Sequence, residues 1–157
     1  MARKPIVTID GPSGAGKSTV SRALAARLCF TYLDTGALYR AVAYAARRQG
    51  IAADDEPALA ELCGRLALTL MPAPGGQRIL LQGEDVTDAI RTEEISLLAS
   101  RVSALPAVRR ALLTMQRRAA AGGGVIAEGR DTGTIVFPDA EFKFFLDADL
   151  RLSLIHI

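Results

Sequence analysis

Two hydrophobic rhythms alternate along the chain. PIVTID (residues 5–10) is a short apolar run stopped by Gly11 and Pro12, the pattern of a buried strand. A helix starts within the loop that follows and runs to about Cys29, with Val20, Leu24 and Leu28 at the four-residue spacing of a core-facing stripe. FTYLD (30–34) predicts a second strand, and TGALYRAVAYAARRQG (35–50) a second helix closed by Gly50. DDEPALAELCGRLALTL (54–70) supports a third helix with Asp55 as N-cap and Glu56 and Glu61 toward the positive end of its dipole. The alternation then breaks: PAPGGQ marks a turn and RILLQG a strand, so residues 68–86 are expected to form a small antiparallel element. TEEISLLASRVSAL (92–105) and PAVRRALLTMQRRAAA (106–121) return to helical period and divide at Pro106, a residue suited to a first helical turn. After three glycines, VIAEGRD (125–131) and EFKFFLDA (141–148) read as strands. Short apolar strands alternating with helices predict an α/β fold, a parallel sheet covered on both faces.

Composition narrows the class. A chain of 157 residues, 50% hydrophobic, builds one core, so a single domain with a small inserted subdomain is expected. The net charge of +2 is nearly balanced and there is no basic run, which favours small anionic ligands over a nucleic acid polymer. Cys29 and Cys63 both fall in apolar helical stretches without C-x-x-C spacing, and are read as buried free thiols. The first ten residues lack the apolar core of a secretory signal, and no apolar run reaches the ~18 residues that span a membrane. The expectation is a soluble, cytoplasmic protein without a membrane partner.

The chemistry begins at Gly11-Pro12-Ser13-Gly14-Ala15-Gly16-Lys17-Ser18, which satisfies G-x-x-x-x-G-K-[ST] between a strand and a helix. Glycines let successive N–H groups converge on one point, and the helix adds the positive end of its dipole, so such a loop holds phosphates. Lys17 would reach the terminal phosphates and Ser18 Oγ would ligate the accompanying Mg²⁺. Two further stretches carry charge at strand exits. LDTGALYR (33–40) sets Asp34 and Thr35 at a helix start with Arg40 beyond, where its guanidinium suits a second phosphate. AEGRDTGT (127–134) sets Glu128, Arg130 and Asp131 just past a strand of the same sheet, on the side where ligands of open α/β sheets sit. No N-K-x-D stretch occurs, and no acid follows four consecutive aliphatics.

Five stretches together, IDGPSGAGKST, LDTGALYR, GEDVTDAIRTEEI, SRVSALPAVRRALLTMQR and AEGRDTGTIVFPDAEFKFFLDA, stand in the order and approximate spacing of the bacterial cytidylate kinases, a resemblance covering about residues 4–149. It implies a P-loop nucleoside-monophosphate kinase: a parallel sheet flanked by helices with a small α/β nucleotide-binding insert, a core of about 1–34 and 105–149, and a CMP-binding region of about 35–104. It further implies transfer of the γ-phosphoryl group of ATP to CMP or dCMP with Mg²⁺. The family's ATP loop maps onto residues 11–19, including Thr19, and its CMP-phosphate contacts onto Thr35, Arg40 and Arg130. Its cytosine-reading groups map in part onto Ser100 and Arg109, and Asp131 matches the acid near the ribose and metal. Lys17, Arg130 and Asp131 are thus the implied catalytic set in an enzyme expected to be a monomer. The family continues after this point with an arginine-rich lid, whereas residues 150–157 (LRLSLIHI) match no part of it, which implies a domain without its lid and last helices, ending in a non-family tail. The alternative for such a chain is a nucleotide-binding fragment without turnover.

Overall fold

The computed structural model describes residues 2–147; the tail read as 150–157, with its single histidine His156, lies outside them. The chain divides into two compact units, one built from Met1–Thr35 and the chain from Ala119 on, the other from Gly36–Arg118.

The first unit is organised by a four-stranded parallel sheet in the order β2-β6-β1-β7, with β1 Ile6–Asp10, β2 Thr31–Asp34, β6 Val125–Gly129 and β7 Phe142–Phe145. Register pairs Ile9 with Glu128 and Asp34 with Glu128, so the carboxyl ends of β1, β2 and β6 finish side by side. β1 is buried throughout, as a strand flanked on both edges and covered on its faces must be. β7 is different: Phe142, Phe144 and Phe145 are each more than half exposed, so the expected cover on both faces does not extend to this edge. Helix α1, Lys17–Leu28, packs on β6, but of the predicted stripe only Leu24 lies against the core. Ser21 and Ala25 are its buried residues, while Val20 and Leu28 are over 40% exposed. Close approach of helix to sheet admits the small side chains and turns the larger ones aside, rotating the buried face by one residue from the apolar spacing. Val7, Ile9, Ala25, Tyr32 and Ile126 form the core of this unit.

The second unit carries helices α2 Thr35–Arg48, α3 Glu56–Arg65, α4 Glu93–Val102 and α5 Pro106–Ala119, whose first and last residues belong to the first unit's ranges. Its sheet is antiparallel, β3 Leu68–Ala73, β4 Gly76–Leu81 and β5 Glu84–Asp85. Asp55 caps α3 as expected, accepting from the Ala58 N–H at 3.2 Å. The helix stops at Arg65 instead of reaching residue 70, because Leu68 and Leu70 take up strand pairing opposite Leu81 and Ile79. Gln82 and Gly83 both adopt positive φ (50° and 82°), the geometry of a tight two-residue hairpin between β4 and β5. Leu38, Leu59, Leu62, Ile79, Ile95 and Val108 lead a core of this unit's own.

Neither cysteine is fully buried. Cys29 is exposed and forms the left-handed C-cap of α1 (φ 54°), its N–H shared between the Ala25 and Ala26 carbonyls; Cys63 is half-buried against the second core. Among the described residues no helix is long and apolar enough to cross a membrane.

Candidate functional site

The phosphate loop follows directly from β1. Gly11 turns out of the strand at a φ of 154°, and a Cβ there would lie 2.0 Å from the Leu146 carbonyl oxygen, so no other residue fits this passage. Gly14 and Gly16 adopt left-handed conformations (φ 79° and 87°), and Gly16 is the N-cap of α1. A glycine cap offers no side-chain acceptor and the first turn of α1 holds no acid, so the N–H groups opening the helix are not satisfied by the helix itself. They form, with the helix dipole, a receptor for an anion.

Side chains then close around the loop. Lys17 Nζ donates to the Pro12 carbonyl at 2.8 Å, bridging the loop. Burial lowers the Lys17 ammonium from its ordinary value, the Glu128 carboxylate opposing this and the Arg130 charge adding to it. Arg130, just past β6, donates to Ser13 Oγ at 2.7 Å, which brings its guanidinium to the loop from the neighbouring strand. Thr19 lies exposed on the first turn of α1. Ser18 Oγ donates to Glu128 Oε1 at 2.7 Å. Burial pushes the Glu128 carboxyl up, with the Ser18 bond opposing and the Asp34 charge adding to the rise. Its second oxygen, Oε2, is buried without a hydrogen-bond partner.

The turn that carries Arg130 and Asp131 is tied to β1 by one carboxylate. Asp10 Oδ1 accepts from the Thr132 N–H at 2.8 Å and from Thr132 Oγ1 at 2.5 Å, and Oδ2 accepts from the Gly133 N–H at 2.8 Å. Asp131 thereby becomes the entry to a short π-helical turn, Thr132–Val136, its carbonyl accepting from the Ile135 N–H at 2.9 Å. Thr35 is fixed on the same side, its hydroxyl donating to the Glu128 carbonyl at 2.7 Å. Gly129 makes that bond possible, since a Cβ there would meet Thr35 Oγ1 at 2.4 Å.

The structure therefore brings Gly11–Thr19, Thr35, Arg130 and Asp131 into the first unit, around the carboxyl ends of β1, β2 and β6. Arg40, Ser100 and Arg109 belong to the second unit. There Arg40 is half-buried on the early turns of α2 and Ser100 is exposed on α4. The Arg109 guanidinium lies over the Tyr39 ring, 5.9 Å from its centre, and donates to the Ser103 carbonyl at 3.0 Å, so its head group is held by a ring and a helix end.

Sequence reasoning missed two parts of this site. In the sequence Asp10 is marked only as the end of a strand. Glu128 was noted as a charge near the loop, but only three aliphatics precede it, and its bond to Ser18 depends on which strand lies beside β1. The donor set fits a Mg²⁺: a hydroxyl and a carboxylate are the hard oxygen ligands that ion takes alongside phosphates. Among the described residues no cluster of three or more His, Cys, Asp or Glu side chains could hold a metal by itself.

Known proteins resemble this chain over most of its length. The family described as cytidylate kinase matches residues 7–153, running slightly into the stretch read as a tail. The chain is 56% identical to the cytidylate kinase of Syntrophotalea carbinolica over 151 residues, 96% of this chain and 64% of that protein. It is 60% identical to the cytidylate kinase of Geobacter sp. strain M21 over 143 residues, 91% of this chain and 61% of that one. It is also 53% identical to the bifunctional pantoate ligase/cytidylate kinase of Synechocystis over 95% of its own length, covering 29% of that longer protein. The chain spans a little over three fifths of the length of the first two relatives.

Proposed function

The chain belongs to the cytidylate kinase family, and on that premise we propose that it transfers the γ-phosphoryl group of ATP to CMP or dCMP, giving ADP and CDP or dCDP. The observation that carries the reading is the phosphate loop with Arg130 drawn onto Ser13 beside Lys17, two cations on one anion receptor. Phosphoryl transfer asks a protein chiefly for alignment, exclusion of water and neutralisation of charge. The N–H groups of residues 11–19 would take the ATP phosphates, and Lys17 would leave the Pro12 carbonyl to meet the terminal one. Thr35, Arg40 and Arg130 would hold the acceptor phosphate, Ser100 and Arg109 its base, and Asp131 the region of the ribose. Ser18 Oγ would hold a Mg²⁺ with the nucleotide's phosphates, and that ion would supply further positive charge there. No histidine takes part in this scheme.

An ADP-release assay with ATP·Mg²⁺ and CMP, dCMP, UMP or AMP in turn tests it. Turnover confined to CMP and dCMP, abolished in Lys17→Met, is the expected result. Arg40→Ala should raise the CMP requirement far more than the ATP requirement, and equal effects on both refute its assignment. ATP binding without turnover of any monophosphate would leave a nucleotide-binding module in place of a kinase.

A further inference from the structure

We propose that Glu56 is a positioning residue for recognition of the acceptor base: from α3, its carboxylate fixes the start of α5 and with it the guanidinium of Arg109. The inference rests on the assignment of Ser100 and Arg109 to the base and extends it to a residue on a third helix.

The two candidate base readers flank a sharp corner. α4 ends at Val102 and α5 begins at Pro106, so Ser100 lies in the last turn of one helix and Arg109 is the fourth residue of the next. Ser103, between them, is bonded to both. Its Oγ donates to the Ser100 carbonyl at 3.0 Å, and its own carbonyl accepts from the Arg109 guanidinium at 3.0 Å. A slide or turn of α5 therefore carries Arg109 away from Ser103 and from the ring of Tyr39 that it covers.

What holds the start of α5 is not local. Pro106 has no N–H, so Ala107 carries the first donor of the helix, and the first turn contains no acid of its own. That donor is met from α3: Glu56 Oε1 accepts from the Ala107 N–H at 2.9 Å, across 51 positions of sequence. Glu56 is half-buried in the first turn of α3, behind the Asp55 cap, so its own backbone is firmly placed. Leu59 and Leu62 of α3 share one core with Val108 and Leu112 of α5, which keeps the two helices together. Apolar contact is non-directional, however, and leaves rotation and axial shift to a directed bond. The bond at Ala107 supplies it two residues before Arg109.

The experiment is nucleotide binding by the full 157-residue chain, with CMP, UMP and ATP titrated in turn by calorimetry and melting curves to check folding. Substitutions that touch no ligand but lie in a packed network coupled to it change affinity by about 2-fold to 30-fold. Glu56→Ala should weaken CMP binding by about fivefold and lower the preference for CMP over UMP to match, with ATP affinity within about twofold of the parent. Glu56→Gln keeps an acceptor oxygen in the same place and should recover most of that preference. On an Arg109→Ala background, adding Glu56→Ala should change the preference by less than about twofold, because the two residues act as one unit. A merely structural Glu56 would weaken CMP and UMP equally, and that result overturns the proposal. So does an unchanged preference in Glu56→Ala, or a Glu56→Gln no better than alanine. If Glu56→Ala does not fold, Glu56→Asp serves instead: its shorter side chain draws the oxygen back from Ala107, and an undiminished preference there is equally fatal. A parent chain that binds ATP without preferring CMP to UMP refutes the base assignment of Ser100 and Arg109, and this inference falls with it.

Discussion

Replacing Asp10 by asparagine tests whether the turn bearing Arg130 and Asp131 is held by one carboxylate. In the native chain Oδ1 serves both donors of Thr132 and Oδ2 serves the Gly133 N–H, all buried. Asparagine has nearly the same shape but only one acceptor oxygen. If that oxygen keeps the two bonds to Thr132, the amide NH₂ faces the Gly133 N–H, donor against donor. A hydrogen bond to a charged group contributes about 1.5–3 kcal/mol, and a buried donor left unpaired costs about 1–3 kcal/mol. These overlap for a single bond, so the expected loss is about 2–3 kcal/mol, a large part of the ~5–15 kcal/mol that holds a typical domain together. Asp10→Ala strands both N–H groups and should cost about 4 kcal/mol or more. The assay is amide hydrogen exchange under native conditions. Thr132 and Gly133 should exchange roughly 30-fold to 100-fold faster in Asp10→Asn, since 1.4 kcal/mol corresponds to about tenfold, and the effect should be largest at this turn. Exchange within about twofold of the parent at both amides would refute the argument.

Gly129→Ala places a methyl group 2.4 Å from Thr35 Oγ1 and 2.8 Å from Thr132 Cγ2, so it should destabilise the first unit by about 1–3 kcal/mol, read as a lower urea midpoint. Cys29→Gly relieves a left-handed non-glycine C-cap and should raise stability by about 0.5–1 kcal/mol in the same assay. At neutral pH an alkylating reagent followed by mass spectrometry should label exposed Cys29 before Cys63, whose thiol is both half-buried and pushed up by burial. Glu141 accepts from the Ile6 N–H at 2.8 Å, and that bond holds its carboxyl below the ordinary range. Its folded value lies under its unfolded one, so its contribution is present above the unfolded value and disappears as pH falls through the folded one. Acid titration of stability in Glu141→Gln should be correspondingly shallower in that window.

What the sequence determined by itself is local and periodic. The phosphate loop was legible because its requirements are met within eight consecutive residues: glycines for positive φ, a lysine, a hydroxyl and a helix start. Asp55 as an N-cap and Pro106 at a helix start were legible for the same reason, since each acts on the turn it begins. The family was legible because several such stretches occur in order. The structure alone decided what depends on lateral order and on depth. The bonds from Ser18 to Glu128 and from Thr132 to Asp10 join residues more than 100 positions apart, and they exist because β6 lies beside β1. α1 buries Ser21 and Ala25 instead of Val20 and Leu28 because proximity to the sheet, which no periodicity encodes, overrules apolar spacing. Leu68 and Leu70 leave a helical pattern for the same kind of reason, as partners across a hairpin outweigh propensity. Chemistry that one turn of chain can supply is written in order along the sequence, while chemistry shared between strands waits for the sheet to form.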